Sequence, residues 1–373
     1  MIRNRTRILS AAVGAALVPL LAACGSGTPS ASSPDSKELT VATHAARNSR
    51  GEAVTDWYFK EVEARTGGTL TFKVTAPDSL CPPPEIGECT RDGRADVGVS
   101  VSEYAPQLFP TATVVGIPFV SQDSAALMSA FYEVNTTHTG AKAVWEKNGL
   151  HLVGHWSPGR MNIGTKTPLT SPGDLNNQRI RTAGAYLERA LDTQGASNVS
   201  VTASETYEAV ERGLADGTGF ALDGALDFKL TELLPYWTDV NTGHYSTFGL
   251  WLNKDVYDGL TDAQKKAIDD VAAELNGGKG IEAIQAKAAE QCTSLVGNDD
   301  ISKISKWDDS VTKPWRDAVG SSLVDRWVQD AEAAGLSDAR GYYEAYVAAM
   351  EANVDTAVTD PIDTCYEQFE GRS

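Results

Sequence analysis

The sequence predicts an α/β fold built as two lobes, on three observations. Residues 178–219 alternate strand, helix, strand and helix. Residues 38–74 alternate strand, helix and strand. The length, 373 residues, is enough for two lobes with a sizeable core. Strands that alternate with helices form a parallel sheet, and ligands of such sheets sit beyond the carboxyl ends of the strands. The first strand of the 178–219 stretch ends in Arg181.

The chain begins with a targeting pattern rather than with fold. Arg3, Arg5 and Arg7 precede an apolar run from Ile8 to Leu20, and Leu21-Ala22-Ala23-Cys24 matches a bacterial lipobox. Residues 1–23 read as a lipoprotein signal peptide, too short for a stable membrane span, with Cys24 as the lipidated residue. Residues 24–37, rich in Ser, Gly, Pro and Thr, read as a flexible leash to a lipid anchor on the outer face of the cytoplasmic membrane.

Glu38–Thr43 reads as the first strand, with a loop from His44 to Gly51 at its carboxyl end. A helix follows over about 52–66, with Trp57, Phe59 and Val62 on its apolar positions, and Thr69–Val74 is the second strand. Residues 124–148 form a helical hairpin. Gly149–Trp156 is a strand expected to cross from lobe one to lobe two, and Phe248–Asn253 a strand that returns. Between them lie the anchor strand ending at Arg181, a helix over about 185–194 and a strand over 198–201. A further helix follows, with Ser204 as N-cap, Tyr207, Val210 and Leu214 as its apolar face, and Asp216-Gly217 as its stop. Thr261 caps a long helix. Trp315, Leu323 and Trp327 recur on helical faces as core, and no functional reading attaches to residues 341–373.

Composition narrows the function. The formal net charge is −18, and removal of residues 1–23 takes away three arginines and no acid. So acidic a chain is unsuited to nucleic acid or anionic lipid, and a local cationic pocket runs against its overall field. With Cys24 lipidated, four cysteines remain. An even number in an exported protein suggests two disulfides. Three connectivities are open, of which Cys81–Cys89 with Cys292–Cys365 is preferred. There is no Cys-x-x-Cys and the five histidines are scattered, so no metal site is expected. No Gly-x-Ser-x-Gly, Gly-x-x-x-x-Gly-Lys or His-Glu-x-x-His motif is present. No enzyme activity and no cofactor are expected; the rival enzymatic reading is a lipoprotein hydrolase using two carboxylates.

Arg181, Glu205-x-Tyr207 and Asp216-Gly217 together resemble the dicarboxylate-binding solute receptors of tripartite ATP-independent periplasmic (TRAP) transporters. Gly93-x-x-Asp96, Ile117-Pro118-Phe119 and Leu252-Asn253…Leu260-Thr261-x-x-Gln264 match further runs of that family. The resemblance implies a two-lobe periplasmic-binding-protein-like fold with crossover strands and a long hinge-spanning helix. Lobe one would comprise 38–157 plus about 250–290, and lobe two 158–249 plus about 291–373. It further implies that Arg181 pairs with the carboxylate of a bound organic acid, that Arg160 is a second ligand arginine, and that the loaded protein docks on integral-membrane transporter subunits. Tyr104, Phe220, Trp156, Glu205 and His44 complete the expected ligand set, with Glu205 positioning an arginine or an amide. Phe220 stands where the family often has a polar residue, which suggests an apolar or aromatic acid. A receptor of an ATP-driven importer and a surface ligand-sensing lipoprotein are the rival readings.

Overall fold

A computed structural model describes residues 35–354 and 361–371. The signal segment, Cys24 and most of the leash lie outside them. The strands are β1 (Lys37–Thr43), β2 (Leu70–Val74), β3 (Val97–Val101), β4 (Leu150–Trp156), β5 (Arg160–Thr165), β6 (Arg179–Arg181), β7 (Ser197–Val199), β8 (Gly217–Phe220), β9 (Tyr236–His244), β10 (Phe248–Asn253) and β11 (Lys303–Lys306). They form two sheets, with orders β2-β1-β3-β10-β4 and β11-β9-β5-β8-β6-β7. Parallel pairs β1–β2 and β1–β3 in the first sheet, and β6–β7 and β6–β8 in the second, carry the two α/β units that the sequence predicts.

The chain passes from strand to strand between the sheets at two places. Neither crossing is one continuous strand, as the sequence reading of residues 149–156 had it. β4 pairs antiparallel with β10 in the first sheet and β5 pairs with β8 and β9 in the second. Ser157-Pro158-Gly159 breaks the strand: proline lacks the N–H a ladder needs, and Gly159 has φ +142°. A Cβ on Gly159 would sit 3.1 Å from the Ala221 Cβ and 3.1 Å from a guanidinium nitrogen of Arg50. The return is interrupted as well, by Tyr245–Thr247 between His244 and Phe248.

A kinked helical path joins the two halves. Thr261 caps the helix Asp262–Glu274 in a reciprocal box with Gln264. One wide turn over Leu275–Lys279, with Gly278 at φ +133°, precedes the helix Gly280–Val296. Ile281 and Ile284 pack into the core with Tyr58, Val62 and Ile268 beside the first sheet. Cys292 and Leu295 pack with Ile304 and Trp237 beside the second. This helix therefore spans the hinge.

The C-terminal residues, silent in the sequence, also touch both halves. The helix Ala339–Ala352 packs on Ser124–Thr137, where Asn135 Nδ2 donates to Tyr342 Oη at 2.8 Å and the Tyr346 and Ser121 hydroxyls meet at 3.0 Å. The helix Pro361–Glu370 instead lies on the hinge helix, with Tyr366 Oη donating to Asn162 Oδ1 at 2.9 Å.

Both preferred disulfides are formed, Cys81–Cys89 and Cys292–Cys365, with sequence separations of 8 and 73. Loop-closure entropy grows with the logarithm of loop length, about 2.5 kcal/mol for the short loop and about 4 kcal/mol for the long one. We expect C292S/C365S to lower the free energy of unfolding in denaturant more than C81S/C89S does. Equal losses would show that the tail helix is held by packing rather than by its covalent tie.

Candidate functional site

Four of the expected residues meet in one cleft because each stands at the carboxyl end of a parallel strand. His44 follows β1, Tyr104 closes the turn after β3, Arg181 ends β6 and Phe220 ends β8. The first two belong to one sheet and the last two to the other, so the cleft lies between the sheets. It holds a cavity of about 50 Å³, and Ala183, Ala203, Phe228, Tyr245 and Phe248 also line it.

Arg181 is 1% exposed. Its Nε donates to the Val201 carbonyl at 3.0 Å and its Nη2 to Tyr104 Oη at 3.2 Å. The guanidinium carbon lies 4.6 Å from the centre of the Phe220 ring, a cation–π contact. Among the described residues no carboxylate forms an ion pair with Arg181. Glu188 and Glu205 feel its charge, which favours their ionised forms, without hydrogen-bonding to it. Every described group that touches the cation is neutral, and a buried cation without a counter-ion is costly.

Tyr104 ties the two halves together across this point. Its hydroxyl accepts from Arg181 and also from the Ala203 amide at 3.0 Å. His44 backs it: Nδ1 donates to Asp78 Oδ1 at 2.7 Å, and the ring lies edge-on to Tyr104 and stacked on Phe248. A residue that the sequence reading missed makes a second bridge. Arg50, 3% exposed, donates from Nε to Asp223 Oδ2 at 2.8 Å. Arg50 is not in a loop: it opens the helix Arg50–Arg65, which starts two residues earlier than predicted because the Ser49 hydroxyl accepts from the Glu52 amide. The signal for it was Ser49-x-x-Glu52, a capping pattern inside the stretch read as loop.

Three expected ligand residues stand outside the cleft lining. Arg160, 6% exposed, donates from Nε to Asp239 Oδ2 at 2.8 Å, from Nη1 to Gln122 and from Nη2 to Asn241 Oδ1 at 3.0 Å. Its guanidinium is committed to the hinge, and Asp239 supplies the counter-ion that Arg181 lacks. Trp156 is buried behind the cleft and stacks on Phe248 with centroids 6.2 Å apart. Glu205 accepts from the Thr202 amide at 2.8 Å and from the Thr202 hydroxyl at 2.7 Å, which holds the turn before the next helix.

That helix also departs from expectation. It spans Thr206–Glu211, Ser204 does not cap it, and Leu214 is 54% exposed. Gly213, at φ +69°, is the left-handed stop. Asp216 instead grips Arg179 through Nε and Nη2, and Gly217 begins β8, where a Cβ would lie 2.5 Å from the Gly164 carbonyl oxygen.

Glu103, next to Tyr104, accepts from the Thr247 amide on the returning crossover, and burial pushes its carboxyl up to about 8. Between the unfolded value near 4.5 and about 8, the native state then holds the proton that the unfolded chain has released. Stability contributed by this group is therefore present at low pH and lost as pH rises through that window. We expect wild type to lose stability from pH 5 to 8 relative to Glu103→Gln; parallel pH profiles would contradict the assignment. Arg160→Ala should destabilise by about 3–5 kcal/mol, because it leaves Asp239, 0% exposed, as an uncompensated buried charge. A change below about 1 kcal/mol in chemical denaturation would show that the pair is not structural.

Comparison with known proteins places this geometry. A model of bacterial extracellular solute-binding protein family 7 matches residues 41–330. The chain is 25% identical over 190 residues to the ectoine-binding periplasmic protein TeaA of Halomonas elongata, covering 50% of this chain and 55% of that one. It is 23% identical over 272 residues to the 2,3-diketo-L-gulonate-binding periplasmic protein YiaO of Escherichia coli, covering 72% and 80%. In structure it is similar to a TRAP solute-binding protein from Rhodoferax ferrireducens in complex with copurified benzoate, with TM-score 0.77 and 20% identity over 87% of this chain and 100% of that one. The matched residues contain both crossovers and all four cleft-lining residues predicted from sequence, and the chain belongs to bacterial extracellular solute-binding protein family 7, a family of receptors rather than enzymes.

Proposed function

We propose that the protein captures an organic carboxylate in the cleft between its sheets and delivers it to a TRAP-type secondary transporter. The observation that carries this reading is Arg181, a buried guanidinium whose described contacts are a carbonyl, a hydroxyl and an aromatic face. A ligand carboxylate is the missing anion. Its pair with Arg181 is charge-assisted, and each such bond contributes about 1.5–3 kcal/mol net.

The relatives bind chemically different solutes, so the ligand class has to come from this cleft's own walls. Phe220, Phe228, Tyr245 and Phe248 line it, and Phe220 is already stacked against the cation. These walls support an aromatic or otherwise apolar acid. The lobes would be 38–157 plus about 250–290, and 158–249 plus about 291–373, hinging at the two broken crossovers. Closure would remove water from the ion pair and strengthen it. Leu21-Ala22-Ala23-Cys24 supports export with a lipid anchor on Cys24, which keeps the receptor near its membrane partner.

Calorimetry on Arg181→Ala tests the anchor. Affinity for a carboxylate ligand should fall at least about tenfold, corresponding to 1.4 kcal/mol. Arg181→Lys should restore only part of it, because an ammonium lacks the planar fork. Unchanged affinity in Arg181→Ala refutes the role. A thermal-shift screen should find its stabilisers among organic acids, since a ligand selective for the folded state raises stability by mass action; stabilisation by neutral sugars or amines alone would refute the carboxylate assignment.

A further inference from the structure

The cleft has an acidic wall that the carboxylate anchor does not use. The helix Leu222–Asp227 begins two residues after Phe220, and its i,i+4 spacing puts Asp223 and Asp227 on one face, both lining the cleft. The two acids differ in occupation. Asp223 Oδ2 accepts from Arg50 Nε at 2.8 Å, and its Oδ1 accepts from the Gly224 amide at 2.8 Å. Asp227 is met only at Oδ1, by Gln291 Nε2 of the hinge helix at 3.3 Å. Its second oxygen has no donor among the described residues. The charges of Arg50 and Lys287 reach it, and Lys287 Nζ is engaged with Glu290 at 2.9 Å.

We infer that Asp227 is a specificity residue, and that the ligand is a carboxylic acid whose far end carries a hydrogen-bond donor, a hydroxyl or an ammonium. This rests on the reading of Arg181 as the carboxylate anchor. The cleft is then bipolar, with an unneutralised cation at one end and an underused acceptor at the other. Arg181, Asp227 and Tyr245 all line the same cleft, so the two poles share it. Apolar ring walls between them suit a flat body joining the two polar groups. Burial and the neighbouring Asp223 push the Asp227 carboxyl up, and a bound donor would favour the carboxylate that accepts.

Phenylacetate, 4-hydroxyphenylacetate and 4-(aminomethyl)phenylacetate form a matched probe set, measured by calorimetry against wild type, Asp227→Asn and Arg181→Ala. The inference expects at least one donor-bearing acid to bind wild type about tenfold more tightly than phenylacetate. Asp227→Asn should erase that preference while leaving phenylacetate within about threefold. Wild type needs no substitution to reveal the preference, so a poorly folding variant does not decide the matter. If phenylacetate binds as well as both substituted acids, or if none of the three binds, the inference is overturned. Where phenylacetate binding is strong and still lost in Arg181→Ala, the carboxylate anchor survives that failure; where Arg181→Ala leaves binding unchanged, the anchor falls instead.

Discussion

A buried guanidinium without a protein carboxylate is the constraint around which the cleft is arranged. Burying a charge costs several kcal/mol unless it is paired and hydrogen-bonded. Arg181 has two hydrogen bonds and the Phe220 ring to soften that cost, and none of them neutralises it. The contrast with Arg160 is internal to the molecule. Both arginines are buried on the second sheet, yet Arg160 has Asp239 and three further acceptor atoms around its fork. One cation is paired within the architecture, and under the proposed reading the other takes its anion from outside.

In the proposed reading, two bridges between the halves would couple that electrostatic demand to closure. Tyr104 reaches from the first sheet to Arg181 and Ala203, and Arg50 reaches from the same side to Asp223. Both act where the chain crosses between sheets, beside Gly159 and Tyr245. A carboxylate on Arg181 would sit among these bridges, so its binding energy is coupled to the closed arrangement. The hinge helix sets the limits: Ile281 and Ile284 belong to one core and Cys292 to the other.

Much of this was legible in the sequence, for physical reasons that can be named. Alternating strand and helix patterns located the parallel strands. Their carboxyl ends picked out Arg181 and the loop that holds His44, because direction along a parallel sheet decides which loops share a face, and the family resemblance added Tyr104 and Phe220. Spacing alone did not reveal the ion pair of Arg160. Its counter-ion lies 79 residues away in sequence, and no local pattern distinguishes a saturated arginine from an unsaturated one. The burial of Trp156 behind the cleft is likewise a tertiary fact, whereas the reading of Glu205 as holding a backbone amide agrees with its bond to the Thr202 amide. Arg50 was hidden by the reading of 44–51 as loop, although Ser49-x-x-Glu52 carries a helix-start signal. The tail helices carry their meaning in contacts with Asn135, Ser121 and Asn162, which lie far away in sequence.

The charge state of a bound acid reports most directly on Arg181. An acid labelled with ¹³C at its carboxyl carbon can be titrated in the complex by NMR, its chemical shift following protonation. A guanidinium counter-ion favours the ionised form, so the account predicts a bound carboxyl that stays deprotonated at least about one pH unit below its free value. A bound carboxyl that takes up its proton at or above the free value would mean that the acid does not face the cation, and would contradict the account.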